Sequence, residues 1–224
     1  MQDPTFVQKA FAGIASRYVL TNHVLSLWID VLWRKRFARE AARLTPTKVL
    51  DLATGSGDLA IAVEKACPAA LVVGADFSVP MMREAQADRF ERLIAADGTN
   101  LPFHDQTFDL LTVGFGLRNM ASWPGALNEM RRVLKPGGHL MILDFRIPAH
   151  PFIRPLYLFY LKKVVPWIAG ALTGQRHAYE YLCRSIEQFP SGPDMEALIA
   201  SCSLTPVKSV SLTGGIASIY IAKA

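Results

Sequence analysis

The sequence has few of the features that mark secreted, metal-binding or membrane-spanning proteins. Only three of its 224 residues are cysteines, and Cys67, Cys183 and Cys202 show neither a metal-ligand spacing nor a disulfide framework. The first residues are polar and lack the apolar segment of a secretory leader. We therefore expect a protein of the reducing cytoplasm that has no metal site.

Long uninterrupted apolar runs and nucleic-acid motifs are also missing. The most apolar stretch, residues 152–172, contains two prolines and three cationic residues, so a membrane-spanning helix is not expected. Charged residues make up only 19% of the chain, with a net charge of +5 and a mean hydropathy of +0.21. These values fit a large buried sheet. They leave open an apolar pocket or a basic surface that contacts an anionic membrane. No segment interleaves aromatic and basic residues as nucleic-acid readers do.

Short apolar runs alternate with helical patterns in the middle of the chain. The runs are Lys48–Ala53, Leu71–Asp76, Arg92–Ala96, Asp109–Phe115 and His139–Phe145, with helices predicted over Asp58–Ala66, Val79–Phe90 and Trp123–Leu134. This alternation predicts a parallel sheet that is covered on both faces.

The two ends of the chain have different patterns. Residues 5–44 are predicted to be helical, and so is the apolar segment from residue 151 to about residue 201. Two strand-like runs, Val207–Leu212 and Ile216–Ala222, flank Thr213-Gly-Gly215 and predict a hairpin. We expect a single domain over residues 1–224, with a helical region at 1–44, a sheet core at 45–148, a helical lid at 149–203 and a hairpin at 204–224.

The strongest local motif is a glycine loop after the first predicted strand. Gly55 and Gly57 lie where this strand turns into a helix, and glycine permits both a sharp turn and close approach of a ligand. With Ala60 the spacing also fits the dinucleotide-binding fingerprint. The loop alone therefore leaves open a nicotinamide cofactor or a purely structural turn.

Acidic residues at successive strand ends narrow the choice of cofactor. Asp51, within the first strand, suits the ammonium of a methionine moiety and would repel a pyrophosphate. Asp76 ends the second strand, where an acid accepts ribose hydroxyls, and Asp97-Gly98 follows the third, within reach of an adenine amino group. This order is characteristic of class I methyltransferases that use S-adenosyl-L-methionine. Each acid taken singly could instead be a surface residue or a helix cap.

Five motifs connect the chain to one family, and the first and last of them are the most selective. They are GFGLRN at 114–119, FAGIASRY at 11–18, RVLKPGG at 132–138, YEYLCRSI at 179–186 and LTGGI at 212–216. Over nearly its whole length the chain resembles the ubiquinone/menaquinone-biosynthesis C-methyltransferases. The resemblance implies a Rossmann-like α/β class I fold with a mostly parallel seven-stranded sheet, a C-terminal antiparallel hairpin, a helical N-terminal extension and a helical lid.

The resemblance also implies a reaction and a set of site residues. The reaction is methyl transfer from S-adenosyl-L-methionine to a ring carbon of a reduced polyprenyl benzoquinone or naphthoquinone. The predicted cofactor-binding residues are Asp51, Gly55, Ser56, Gly57, Asp76, Phe77, Asp97, Gly98 and Gly114.

Arg118, Asn119 and Tyr18 are the residues that the resemblance implies beside the quinol. Because a guanidinium stays protonated, we assign Arg118 to stabilising the quinolate rather than to accepting a proton, with Asn119 orienting an oxygen. A salt bridge that holds the loop after the fourth strand is the alternative role for Arg118. A water, His23 or His177 remains open as the general base.

The apolar segment 151–172 could cover an isoprenoid tail, with Lys162 and Lys163 at lipid headgroups, or could simply pack as core. We expect a cytoplasmic protein, and the sequence leaves open a peripheral contact with the inner face of the membrane and a homodimer.

Departures from the family fall on the substrate side. Val19 replaces an acid, Asp30 and Val31 replace a His-Arg pair, and Gln175 and Ala178 replace Asp and Ser. The methyl donor is thus better supported than the acceptor. The rival hypotheses are phospholipid N-methylation, a non-catalytic cofactor-binding subunit of quinone biosynthesis and a nicotinamide dehydrogenase.

Overall fold

Five apolar runs pair into the parallel part of one seven-stranded sheet. The computed structural model describes residues 23, 25–87, 90–173 and 176–224. The strands are β1 (Lys48–Leu52), β2 (Leu71–Asp76), β3 (Leu93–Ala95), β4 (Phe108–Gly114), β5 (Leu134–Phe145), β6 (Thr205–Leu212) and β7 (Ala217–Lys223), in the order β3-β2-β1-β4-β5-β7-β6. Strands β1 to β5 run parallel, and β7 lies antiparallel to both β5 and β6. This topology confirms the predicted fold class and the C-terminal hairpin.

The helices lie close to where the apolar spacing predicts them. They are α1 (Ile29–Ala42), α2 (Asp58–Ala66), α3 (Val79–Ala87), α4 (Trp123–Val133), α5 (Ile153–Phe159), α6 (Val165–Thr173), α7 (Arg176–Gln188) and α8 (Pro193–Ser201). Helix α4 shows why its start was predictable: the Ser122 hydroxyl accepts a hydrogen bond from the Gly125 amide, and Pro124 lies in the first turn. A single π-helical turn, Tyr160–Val164, joins α5 to α6.

The core has two halves because the parallel sheet is covered on both faces. Neighbouring residues of β4 belong to different halves. Leu111 packs in the cluster that contains Leu127 of α4, whereas Leu110 packs in the cluster that contains Phe37 of α1 and Val63 of α2. A smaller cluster joins Tyr157 and Ile186 of the lid segment.

Strand β5 is longer than predicted, because it begins at Leu134 rather than at His139. Leu134 pairs with Phe108 and His139 pairs with Leu110, so the Lys-Pro-Gly-Gly sequence between them forms an irregularity in the register with β4. The ammonium of Lys135 contacts the Asp109 carboxylate at 2.6 Å and holds this irregular start in place. Within the described ranges, no helix is both long and apolar enough to cross a membrane.

Candidate active site

A cavity of about 690 Å³ lies at the carboxyl ends of β1, β2 and β4. One half is formed by the loops after β1, β2 and β3, and the other by the loop after β4 together with α1, α5 and the turn after α5. Of the predicted cofactor residues, its wall contains Asp51, Gly55, Ser56, Asp76, Phe77, Asp97, Gly98 and Gly114. Arg118 and Asn119 also line it. The structure thus brings residues from four strand ends into one wall.

Gly57 does not line the cavity. It caps the N-terminus of α2 with a φ of 78°, a conformation that residues with a side chain rarely adopt, and its amide donates to the Thr54 carbonyl at 2.8 Å. An added Cβ would also lie 3.0 Å from the Cβ of Ala85. The sequence assigned Gly57 to the cofactor, and its place in the structure gives it a role in shaping the loop.

Asp76 connects the loop after β1 to the end of β2. One carboxylate oxygen accepts from the Gly55 amide at 2.8 Å, and the other accepts from the Ser78 amide at 2.7 Å. Burial raises the pKa of Asp76, and the backbone amides oppose this rise by stabilising the ionised form. The acid therefore sets the position of the glycine loop while its carboxylate lines the cavity.

Asp51 is almost completely buried, with 1% of its surface exposed. The Thr112 hydroxyl donates to one of its oxygens at 2.6 Å, and the other oxygen has no hydrogen-bond partner within the described part of the chain. Burial raises the pKa of Asp51 to about 6, and the nearby charge of Asp76 adds to the rise. A cationic group that reached this oxygen would stabilise the carboxylate form.

The loops after β1 and β4 touch each other so closely that only glycine fits at position 116. A Cβ on Gly116 would overlap the Cβ of Ala53. Ala53 and Phe115, next to the contact, have φ values of 54° and 57°, which are strained for residues with a side chain. This contact was not predicted from the sequence, although the two glycines of the GFG motif were a signal for it.

Asp97 is exposed at the edge of the cavity, beyond β3. One of its oxygens accepts from both the amide and the hydroxyl of Thr99, each at 2.8 Å. Gly98 is buried, and a Cβ there would lie 2.9 Å from the sulfur of Met120. The turn after β3 is therefore fixed by local hydrogen bonds and by a close side-chain contact.

Arg118 is buried in an ion pair at the far end of the cavity. Its Nη1 lies 2.9 Å from the carboxylate of Asp144, and both side chains are 1% exposed. Nη1 also donates to the Phe115 carbonyl, while Nε has no partner among the described residues. The salt bridge that holds the loop after β4, left open by the sequence, is therefore present. A role of Arg118 toward substrate stays a prediction.

Asn119 is held by the lid. The Tyr181 hydroxyl of α7 donates to its side-chain oxygen at 3.3 Å. The amide nitrogen of Asn119 can therefore donate to another group. Tyr18, the third predicted catalytic residue, lies outside the described residues. So do Val19, Gln175 and the side chains of His177 and Ala178.

Aromatic side chains form the wall opposite the glycine loop. The rings of Phe115 and Phe145 are 4.6 Å apart, Trp33 packs against both at about 6 Å, and the Arg118 guanidinium lies 5.4 Å from the Phe145 ring. The Trp33 indole donates to the Thr213 hydroxyl at 2.8 Å, which ties α1 to the hairpin turn. These aromatics could not be assigned to the site from the sequence, because they come from segments that are 30 to 112 residues apart in the chain.

This sheet order, with a glycine loop after β1 and acids at the following strand ends, defines the class I methyltransferase fold. Solved structures agree. A putative methyltransferase from Haloferax volcanii, solved in complex with the Trm112 activator, superposes with a TM-score of 0.66 at 18% identity, over 96% of this chain and 97% of that one. A SAM-dependent methyltransferase from Aquifex aeolicus gives a TM-score of 0.58 at 16% identity, over 100% and 99%.

The chain belongs to the ubiE/COQ5 methyltransferase family, whose model matches residues 1–224. A demethylmenaquinone methyltransferase from Thermus thermophilus is 41% identical over 216 residues, which cover 94% of this chain and 98% of the relative. Another, from Mycolicibacterium vanbaalenii, is 42% identical over 222 residues, covering 99% and 96%. The family predicted from the motifs is therefore confirmed, and the chain is a methyltransferase.

Proposed function

We propose that this enzyme transfers the methyl group of S-adenosyl-L-methionine to a ring carbon of demethylmenaquinol. The observation that carries the proposal is one continuous cavity with two unlike ends. One end has glycine amides and three acids, and the other has Trp33, Phe115 and Phe145. The naming of the relatives at about 40% identity as demethylmenaquinone methyltransferases supports the naphthoquinol as acceptor.

The residues at the acidic end fit a cationic nucleoside cofactor. The unpartnered oxygen of Asp51 and the unpartnered hydroxyl of Thr54 are buried polar atoms that a methionine ammonium would satisfy. Asp76 would accept the ribose hydroxyls, and Asp97 with Gly98 would bind the adenine edge. The cofactor supplies an electrophilic methyl group on a positively charged sulfonium.

The remaining catalytic work is alignment and charge stabilisation at the quinol. The hydroxyl beside the reacting carbon must lose its proton for that carbon to become nucleophilic. Arg118 would stabilise the resulting oxyanion from the cavity wall, through donors that Asp144 and Phe115 leave unused. Asn119 would orient an oxygen, with Tyr181 holding its side-chain carbonyl. Tyr18 remains a proposed neighbour of the quinol on the family resemblance alone.

The mouth of the cavity suits a lipid-borne substrate. Leu27, Leu156 and Phe159 line the cavity and are nevertheless 60–75% exposed, and Phe152 beside them is 82% exposed. Monomeric proteins rarely expose contiguous apolar side chains of this size without a binding role. With exposed Lys163 near them on the turn after α5, they would rest on an anionic membrane while the isoprenoid tail enters between them. We place the enzyme in the cytoplasm, in peripheral contact with the membrane.

Anaerobic incubation with reduced demethylmenaquinone and a methyl-labelled donor tests the proposal. Mass spectrometry should find a quinone that is heavier by one labelled methyl group on its ring, and none when the unreduced quinone is supplied. The control is the same incubation with S-adenosylhomocysteine added in excess. Cofactor binding without any quinone product would contradict the proposed acceptor, and the label should then be sought in phospholipid.

A further inference from the structure

A histidine and an acid lie side by side in the substrate half of the cavity. Nδ1 of His23 is 2.8 Å from Oδ2 of Asp30, and both residues line the cavity. The acid is 4% exposed and the imidazole 17%. Trp28 stacks on the His23 ring at 6.1 Å between centroids, nearly parallel to it. The imidazole is thus fixed at one nitrogen and on one face.

Asp30 does not need His23 in order to be satisfied. The Ser26 hydroxyl donates to its Oδ1 at 2.5 Å, and the Arg34 guanidinium donates to its Oδ2 at 2.5 Å. Burial raises the pKa of Asp30, but the Ser26 hydrogen bond and the charges of Arg34 and His23 outweigh it, so this pKa is lower than usual. An ionised Asp30 favours the tautomer that carries its proton on Nδ1, which leaves Nε2 free to accept one.

The other titratable groups of the cavity wall are poor proton acceptors for a quinol. Asp51, Asp58, Asp76 and Asp97 lie in the half that binds the cofactor. Burial raises the pKa of Tyr157, so its phenol stays protonated, and the Tyr160 hydroxyl already donates to the Leu25 carbonyl at 2.5 Å. Among the described residues that line the cavity, His23 is the only imidazole.

We propose that His23 is the general base that deprotonates the quinol hydroxyl, and that Asp30 is the residue that positions it. The inference rests on the proposed function and adds a residue to it. The acid of this pair stands at one of the departures from the family, since Asp30 and Val31 occupy the positions of the usual His-Arg.

The proposed methyl transfer conserves protons and electrons, and water is the only other species that it needs. The O–H bond breaks as Nε2 of His23 takes the proton, and the oxygen's electron pair moves into the ring. The ring carbon then bonds to the methyl carbon as the carbon–sulfur bond breaks, with that electron pair left on sulfur. The methylated carbon loses its hydrogen to water as a proton, and the proton on His23 returns to the oxygen. One proton is released for each methyl group transferred.

His23→Asn tests the base, because asparagine can still donate to Asp30 but cannot take a proton. We expect kcat for demethylmenaquinol to fall at least about 100-fold, the usual contribution of a general base, with KM and S-adenosylhomocysteine affinity nearly unchanged. His104→Asn is the matched control, since His104 is exposed and lies outside the cavity. It should keep full activity.

Three further variants separate chemistry from folding. His23→Ala should regain activity when imidazole is added, which a structural role would not produce. Asp30→Asn should lower kcat and remove the downfield Nδ1 proton resonance of His23 in the free enzyme, and Asp30→Glu should recover part of both. Full kcat in His23→Asn, or no Nδ1 resonance in the wild type, would overturn the proposal. If the wild type itself binds cofactor but does not methylate the quinol, the proposed function fails instead.

Discussion

The two halves of the cavity are built in different ways. The cofactor half consists of loops that follow consecutive strands, and its central acid, Asp76, accepts from two backbone amides within this half. The substrate half consists of side chains from α1, the loop after β4, β5, α5 and the hairpin turn, and its charged groups pair with one another. Asp144 pairs with Arg118, and Asp30 pairs with Arg34 and His23.

This difference means that the fold determines the cofactor half, whereas the substrate half can vary. Wherever the sheet forms, the loops after β1, β2 and β3 meet at one edge, so the cofactor half follows from topology. The substrate half depends on distant segments that are held together by single contacts, such as Trp33 to Thr213. A substitution in it can change the acceptor without disturbing the sheet. The departures from the family at Asp30 and Val31 fall in this half.

The largest effect is expected from removing the central acid of the cofactor half. Asp76→Ala deletes the acceptor for the ribose hydroxyls and also frees the Gly55 amide. Since each charge-assisted hydrogen bond contributes about 1.5–3 kcal/mol, S-adenosylhomocysteine affinity should fall more than about 100-fold by calorimetry. Asp105→Ala, which removes an exposed acid outside the cavity, should bind normally. Tight binding by Asp76→Ala would mean that topology alone holds the cofactor.

A double substitution tests whether the ion pair of the substrate half is structural or catalytic. Arg118→Met leaves Asp144 buried and alone, a change that typically costs about 3–5 kcal/mol. Arg118→Met with Asp144→Leu should recover most of that stability in urea unfolding, because two apolar side chains then fill the space. It should still lack methyl transfer, if Arg118 stabilises the quinolate. Full activity in the double variant would leave Arg118 with a structural role only.

The same contrast explains how much the sequence could predict. Strands β1 to β5 and the acids that follow them are local patterns, and the structure places Asp51, Asp76 and Asp97 together as expected. The aromatic wall was not predictable, because Trp33, Phe115 and Phe145 become neighbours only when the sheet is assembled. No single-sequence pattern reports such long-range contacts. His23 could be suspected as a base, but its pairing with Asp30 needed coordinates.

Asp51 gives the cofactor half a dependence on pH that can be measured. Its pKa is raised from an ordinary value of 3.8 to about 6, so the folded protein binds more protons than the unfolded chain between these values. Its contribution to stability is therefore intact below pH 4 and is lost as the pH rises through about 6. Asp51→Asn should be more stable than the wild type at pH 7 by up to about 3 kcal/mol, and no more stable at pH 4.

Cofactor binding should show the opposite trend, because a methionine ammonium favours the ionised form of Asp51. Affinity for S-adenosylhomocysteine should rise between pH 5 and pH 7, and calorimetry at pH 6 in buffers of different ionisation enthalpy should detect a released proton. Asp51→Asn should bind weakly at both pH values. Equal proton release in the variant would assign the titration to another group.

The smallest effect is expected at the mouth of the cavity, where the substrate half meets solvent. Phe152→Ser changes an 82% exposed side chain, so the free energy of unfolding should move by no more than about 0.5 kcal/mol. Affinity for vesicles that contain anionic lipid should nevertheless fall severalfold, because an aromatic ring no longer enters the interface. Val207→Ser is the matched control: Val207 is 59% exposed on β6, outside the cavity wall, and its loss should not change vesicle binding.

A long-tailed quinol presented in vesicles should then show a higher KM in Phe152→Ser, whereas a short-tailed quinol in solution should not. Equal vesicle affinities for the two variants would mean that the apolar mouth serves the isoprenoid tail alone and does not touch the membrane.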